Sequence, residues 1–182
     1  GMCICKDKTK LDIAKVKRKL RRSLKSNFYL TWREWPYKDV PRKIIAEKFM
    51  SDGSGSDLRD YKFYCFNGIP KYCQVISNRT TAETIDFFDM EWKLQGFTGL
   101  ALPPLPHSAV PIKRPSCYEE MQLLARKLAK SIPFVRIDFY EIEGRVYFGE
   151  ITFFPASGFG EFTPREWNKK MGDMIDLSGV EP

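Results

Sequence analysis

The chain has one histidine, His107, and five cysteines (Cys3, Cys5, Cys65, Cys73, Cys117) among which no Cys-x-x-Cys pair occurs. That set argues against a zinc centre, and an odd cysteine count argues against a disulfide framework; reduced thiols in a cytoplasmic protein are the expectation. No apolar run approaches the roughly eighteen residues of a membrane span, and the N-terminus is too basic and too broken in hydrophobicity for a secretory signal. No Asp-x-Asp occurs, the metal motif that a transferase using sugar diphosphates would need. Internal repeats and low-complexity tracts are absent as well.

What is present is enough for a packed core: 182 residues, 43% hydrophobic and 14% aromatic. The net charge of +7 is localised, because residues 1–25 hold ten Lys/Arg against Asp7 and Asp12, and the rest of the chain sums to −1. In "LDIAKVKRKLRRSLKS" the apolar positions Ile13, Val16, Leu20 and Leu24 recur at helical spacing, which predicts a helix with a buried stripe and a basic remainder. A solvated basic face and a polyanion-binding face both fit that helix. Single-strand binders interleave aromatics with their cations, and this helix has none, so nucleic acid is the weaker reading.

Downstream, "NFYLTWREWPYKDVPRK" reads as an aromatic, proline-punctuated connection, and "KIIAEKFM" as a short buried strand. "SDGSGSDLRD" is a loop. "YKFYCFNGIPKYCQVIS" predicts a hairpin closed by Asn67-Gly68, with Phe66 opposite Ile69 and Cys65 opposite Pro70. Lys62, Tyr64 and Phe66 then share one face, where Lys62 is an isolated cation, and Tyr61, Phe63 and Cys65 share the other. Residues 94–115 carry five prolines and form a long loop of the kind that covers a site. Ser116 to Glu119 reads as a capping box that opens a helix lined by Met121, Leu124, Ala125 and Leu128.

The stretch "VRIDFYEIEGRVYFGEITFF", residues 135–154, is a second hairpin whose arms hold Arg136, Asp138 and Glu150. A two-residue turn at Glu143-Gly144 would put Asp138 and Glu150 on opposite faces. A three-residue turn pairs Glu141 with Arg145 and gives one apolar face (Val135, Ile137, Phe139, Tyr147, Ile151, Phe153) and one polar face (Arg136, Asp138, Glu150, Thr152). The hydrophobic pattern selects the three-residue register, with Arg136 directly across from Glu150 and Asp138 one diagonal step away. Neighbouring carboxylates repel unless a cation lies between them, and a divalent ion shared with phosphates is a natural occupant. A structural cross-strand pair of Arg136 with Glu150 is the alternative.

"RIDFYEIEGRVYFGEITFFPASGFG" resembles the end of the ATP-grasp catalytic domain. Together with "IIAEKFM", "DYKFYCFNGIPKYCQVISNR" and "FFDMEW" it is similar to the TupA-like ATP-grasp family of bacterial cell-surface polysaccharide biosynthesis, from about Cys5 to Leu177. The resemblance implies an α+β, ATP-grasp-like fold, a mainly antiparallel sheet with packed helices. It also implies a chain that lacks the N-terminal subdomain and its glycine-rich phosphate cover, and therefore weak or no turnover by these 182 residues alone. The whole chain is expected to be one C-terminal ATP-grasp domain, divided into a basic helix segment (1–30), an adenine-reading strand and hairpin (40–92), a Pro-rich loop (93–115), and a helix with the metal-binding hairpin (116–182).

The implied activity is a magnesium- and ATP-dependent ligase that joins a carboxylate, from an acidic sugar or an amino acid, to an amine through an acyl-phosphate. A glycosyltransferase and a non-catalytic polyanion-binding module are the alternatives. By the same likeness Asp138 and Glu150 are the magnesium ligands, and Thr152 stands where many ATP-grasp enzymes have a ligating Asn. Arg136 faces the transferred phosphate. Glu47, Lys48, Phe49 and Met50 form the adenine-reading strand, which on pattern alone reads as a core strand. Lys62 reaches phosphate or else snorkels at the surface. Asp52 or Asp57 takes the ribose. Ser157, Gly158 and Phe159 lie near the acceptor.

Overall fold

The computed structural model describes residues 1–51, 58–79, 81–101 and 103–180. The chain divides into two compact units, Gly1–Met50 and Ser51–Pro182, and the 40–92 segment of the sequence reading straddles the division.

In the first unit the basic helix forms as α1, Ile13–Lys25, capped by the Asp12 side chain on the Lys15 N–H at 2.8 Å. Its stripe is not buried: Ile13 is exposed, and Val16, Leu20 and Leu24 are only half-covered. The aromatic connection contains a short helix α2, Phe28–Trp32, and a 3₁₀ turn at Trp35–Tyr37. The strand expected at "KIIAEKFM" does not form. Residues 41–50 have no ladder partner among the described residues, and Ile44, Ile45 and Phe49 are exposed. A single short apolar run cannot hold strand geometry without a neighbour for its backbone groups.

The second unit is built on a five-stranded antiparallel sheet in the order β3-β2-β1-β5-β6. Its strands are β1 (Asp60–Phe66), β2 (Ile69–Ser77), β3 (Thr84–Phe88), β5 (Phe134–Ile142) and β6 (Arg145–Thr152), and a two-residue strand β4 (Thr98–Gly99) pairs apart from it with β7 (Phe162–Thr163). The first hairpin follows the sequence reading. Asn67 and Gly68 both take positive φ (51° and 80°), Phe66 faces Ile69, and Cys65 faces Pro70. A type I′ turn needs that conformation at both positions, and Asn-Gly reaches it at least cost. A bulge between Tyr64 and Cys65 keeps the faces in phase.

Two apolar layers cover the sheet. Tyr61, Phe63, Val75, Val135, Ile137 and Phe139 pack against α3 (Tyr118–Leu128), through Tyr118, Met121 and Ala125. The opposite layer joins Tyr64, Phe66, Ile85, Phe87 and Phe97 to Met171 of α4 (Glu166–Gly172). The helix expected after Ser116 therefore forms, but its capping box does not. The Ser116 amide and hydroxyl both donate to the Glu141 carboxylate on β5, leaving Cys117 as an N-cap without a side-chain bond. The proline-rich stretch is tacked to the far edge strand: Ser108 N–H donates to Asp86, Ile85 N–H donates to Pro106 O, and His107 Nδ1 lies 3.0 Å from Asp86.

Candidate functional site

The β5–β6 hairpin resolves its register differently from the sequence reading and reaches the same polar face. Its turn has two residues, not three: Ile142 pairs with Arg145, Glu141 with Val146 and Tyr140 with Tyr147, and Glu143 and Gly144 both take positive φ (52° and 71°). The type I′ twist matches the strands, as at Asn67-Gly68. That register alone would send Asp138 and Glu150 to opposite faces. A bulge prevents it. Phe139 pairs with Phe148 but Ile137 pairs with Ile151, so β6 carries one extra residue opposite Asp138. The parity flips there, Ile137 and Ile151 go inward together, and Arg136, Asp138, Glu150 and Thr152 share the other face.

Two details of the expectation are corrected. Arg136 lies across from Thr152, not Glu150, and Tyr147 joins Tyr140's face instead of the apolar one. Gly149 sits in the bulge because of close approach: a Cβ there would stand 3.0 Å from the Asp138 carbonyl oxygen.

β1 completes the site. It pairs with β5 so that Lys62 faces Asp138, Tyr64 faces Arg136 and Phe66 faces Phe134. Lys62 is therefore neither isolated nor at the surface. It is buried, its Nζ donates to Asp138 Oδ2, and it lies 3.6 Å from Asp60 Oδ1. Arg136 forks onto Asp138, Nε to Oδ1 and Nη2 to Oδ2, both at 2.8 Å. The same Nη2 donates to Glu150 Oε1 at 2.6 Å and to Thr152 Oγ1 at 3.0 Å, and the Thr152 hydroxyl lies 3.1 Å from Glu150 Oε1. Arg79 Nη2 holds Asp60 at 2.7 Å. Three cations (Lys62, Arg79, Arg136) thus neutralise three carboxylates (Asp60, Asp138, Glu150).

Burial and then the charge and hydrogen bond of Asp60 raise the Tyr140 phenol above its ordinary range. Burial opposes the Arg136 charge, but the Asp138 contacts outweigh it and raise the guanidinium's affinity for its proton. The carboxylates are unequal. The Asp138 side chain is 1% exposed and that of Glu150 is 60%.

Sequence reasoning missed Asp60, Arg79, Tyr64 and Tyr140. Asp60 and Tyr64 were legible, two positions either side of Lys62 and so on its face; Arg79 reaches Asp60 from just beyond β2, and Tyr140 depends on the β1–β5 pairing, which joins segments far apart in sequence.

Beside the charged cluster, on the same sheet face, is a cavity of about 210 Å³ whose lining includes Tyr64, Phe66, Phe134, Gly158, Phe162 and Met171. The predicted acceptor loop forms one wall of it. Pro155–Gly158 is a 3₁₀ turn in which Ala156, Ser157 and Gly158 all take positive φ (50°, 54° and 77°), and Phe159 beyond it is exposed.

Glu47, Lys48, Phe49 and Met50 lie in the first unit, and Asp52 and Asp57 fall outside the described residues. Among the described residues no group of three or more His, Cys, Asp or Glu is arranged to hold a metal ion. The hard oxygen donors of Asp138, Glu150 and Thr152 nevertheless suit magnesium, which is commonly held by one or two carboxylates with substrate phosphates completing its shell. In this structure Arg136 supplies the positive charge between them.

No curated protein and no solved structure gives a significant match to the chain. A family model does, that of TupA-like ATPgrasp, over residues 1–176, which takes in the sheet, the charged face and the loop beside it. The antiparallel α+β architecture agrees with that match, and the chain belongs to the TupA-like ATP-grasp family.

Proposed function

We propose that the charged face of β1, β5 and β6 binds the phosphates of magnesium-ATP and that the chain carries the catalytic sheet of an ATP-dependent carboxylate–amine ligase. The ATP-grasp family generally comprises ATP-dependent ligases, which supports the coarse reading. The observation that carries the finer one is the convergence of Arg136, Asp138, Glu150 and Thr152 with Lys62 from the neighbouring strand. A face whose charges cancel internally has cations to offer phosphate and carboxylates to offer a metal once a ligand rearranges them.

In this reading a substrate carboxylate oxygen attacks the γ-phosphorus, the bond to the β–γ bridging oxygen breaks, and ADP leaves. An amine then attacks the acyl carbon, phosphate leaves with the electron pair of the acyl C–O bond, and the nitrogen gives up a proton, which the departing phosphate can take. Arg136 turns from Asp138 and Glu150 toward the transferred phosphoryl group. Lys62, buried and pinned by Asp60 and Asp138, holds a fixed positive charge under it. Glu150 and Thr152, together with Asp138 once its Arg136 contacts are released, would hold magnesium, which when bound offsets negative charge on the phosphates. The loop at Ser157, Gly158 and Phe159 borders the acid or its acceptor. The family likeness supports a polysaccharide setting as part of this reading, with a uronic acid or glutamate as the acid.

Hydroxylamine is the direct probe, because it intercepts an acyl-phosphate as a hydroxamate. Hydroxamate that depends on ATP, magnesium and an added acid such as glucuronate or glutamate, and is lost in Arg136→Ala, is the expected result. ADP release without hydroxamate across a panel of acids would exclude carboxylate activation.

A further inference from the structure

The unit Gly1–Met50 carries fifteen Lys/Arg against five Asp/Glu, a net +10, while the remainder of the chain carries fifteen against eighteen, a net −3. Glu34 is its only buried residue; Ile13, Leu30, Trp32, Trp35, Ile45 and Phe49 are exposed, and Val16, Leu20 and Leu24 are half-covered. We propose that this unit is a docking surface for an anionic lipid bilayer.

α1 has the composition of a helix that lies in a membrane interface. Seven of its thirteen residues are Lys or Arg and none is acidic. Ile13, Val16, Leu20 and Leu24 form one stripe, and Lys17 and Arg21 border it on one side, so that the long cationic stems reach headgroup phosphates while the stripe enters the acyl boundary.

The segment that follows adds interfacial aromatics. Phe28 packs against Trp32 and Tyr37, and Tyr29 against Trp35. Lys38 stands 4.5 Å over the Trp35 ring, and Arg33 stands 5.8 Å over that of Tyr29. Amphipathic rings beside cations are suited to the headgroup level, where one end is apolar and the other wet.

A soluble polyanion would satisfy the charge and leave the stripe and both tryptophans in water. A bilayer with anionic headgroups satisfies both. Such a partner is peripheral, and among the described residues no helix is long and apolar enough to cross a membrane.

The test uses the whole chain in co-sedimentation with vesicles of phosphatidylcholine alone and of equimolar phosphatidylcholine and phosphatidylglycerol, with tryptophan emission read in parallel. The expected result is binding to the anionic vesicles only, weakened by salt and accompanied by a blue shift. Each charge near a surface is worth roughly a five-fold change in partition, so Arg18→Ala, Arg21→Ala and Arg22→Ala together should lower it on the order of a hundred-fold. Trp32→Ser with Trp35→Ser keeps the charge and should lose the blue shift and much of the binding. Unchanged circular dichroism verifies that both variants fold.

Absence of binding, equal binding to neutral vesicles, or binding to poly-glutamate or duplex DNA as tight as to anionic vesicles would overturn the proposal. So would vesicle binding unaffected by the tryptophan pair. A negative result here leaves the nucleotide reading standing, because that rests on residues of the other unit.

Discussion

Asp138 and Glu150 share a face and a guanidinium, but one is enclosed and the other reaches solvent. Asp138 accepts from Lys62 and twice from Arg136, in surroundings where an unpaired charge is costly. Asp138→Asn should therefore destabilise the fold by about 3 kcal/mol, read as a lowered urea midpoint with an unchanged slope. Glu150→Gln removes an exposed partner of a cation that keeps Asp138, and its stability cost should stay under about 1 kcal/mol. The pair separates structure from chemistry: Asp138 variants confound unfolding with lost function, whereas Glu150→Gln reports on function alone. Equal losses of stability in both would mean that Glu150 is a structural ion-pair partner and nothing more. At this scale the sequence already named Arg136, Asp138, Glu150, Thr152 and Lys62. It did not disclose that Asp138 pins Lys62, because the pairing of β1 with β5 is a long-range event without a local signature.

The β5–β6 hairpin shows how an element can satisfy two conflicting demands. Twist favours the two-residue turn and hydrophobic parity favours an odd count, and the extra residue in β6 meets both. The sequence reading located the inserted residue at the turn, since Glu-Gly is compatible with either loop; the alternative position, at Gly149, was marked only by a glycine in a strand. Gly149→Ala brings a Cβ within 3.0 Å of a backbone carbonyl that cannot move without moving Asp138. It should cost roughly 1–3 kcal/mol and displace Glu150, weakening magnesium-nucleotide binding along with stability, by calorimetric titration and urea unfolding. A silent Gly149→Ala would mean that the bulge adjusts freely. Asn67-Gly68 was legible because its turn chemistry is local, and α1 and α3 because their apolar spacing is. The strand expected at residues 43–50 was not decided by its own residues, since β-structure depends on a neighbour and none pairs there among the described residues.

Across the whole molecule the thiols and phenols set the response to alkali. Cys3 is exposed, Cys5 half-buried, and Cys65, Cys73 and Cys117 are buried. Burial raises the Cys65 thiol from 9.0 to about 12, and burial followed by the Glu141 charge raises Cys117 to about 11; burial likewise lifts Tyr61 from 10.0 to about 12. A raised folded-state value means that the folded chain keeps protons the unfolded chain gives up. This contribution to stability is complete below pH 9 and is lost as pH climbs from about 9 through 11 and 12. The urea midpoint should fall over that interval, and at pH 8 Cys3 should react with a maleimide far faster than the buried three. The two units also divide the charge, +10 against −3, so a single net charge describes neither. The most direct test of the central claim is calorimetric titration of the chain and of Glu150→Gln with a non-hydrolysable ATP analogue, with and without magnesium. Magnesium-dependent binding that Glu150→Gln loses while its urea midpoint stays unchanged is the expected result. Binding that ignores both magnesium and Glu150, or no binding at all, would contradict the account and leave the charged face a structural ion-pair network.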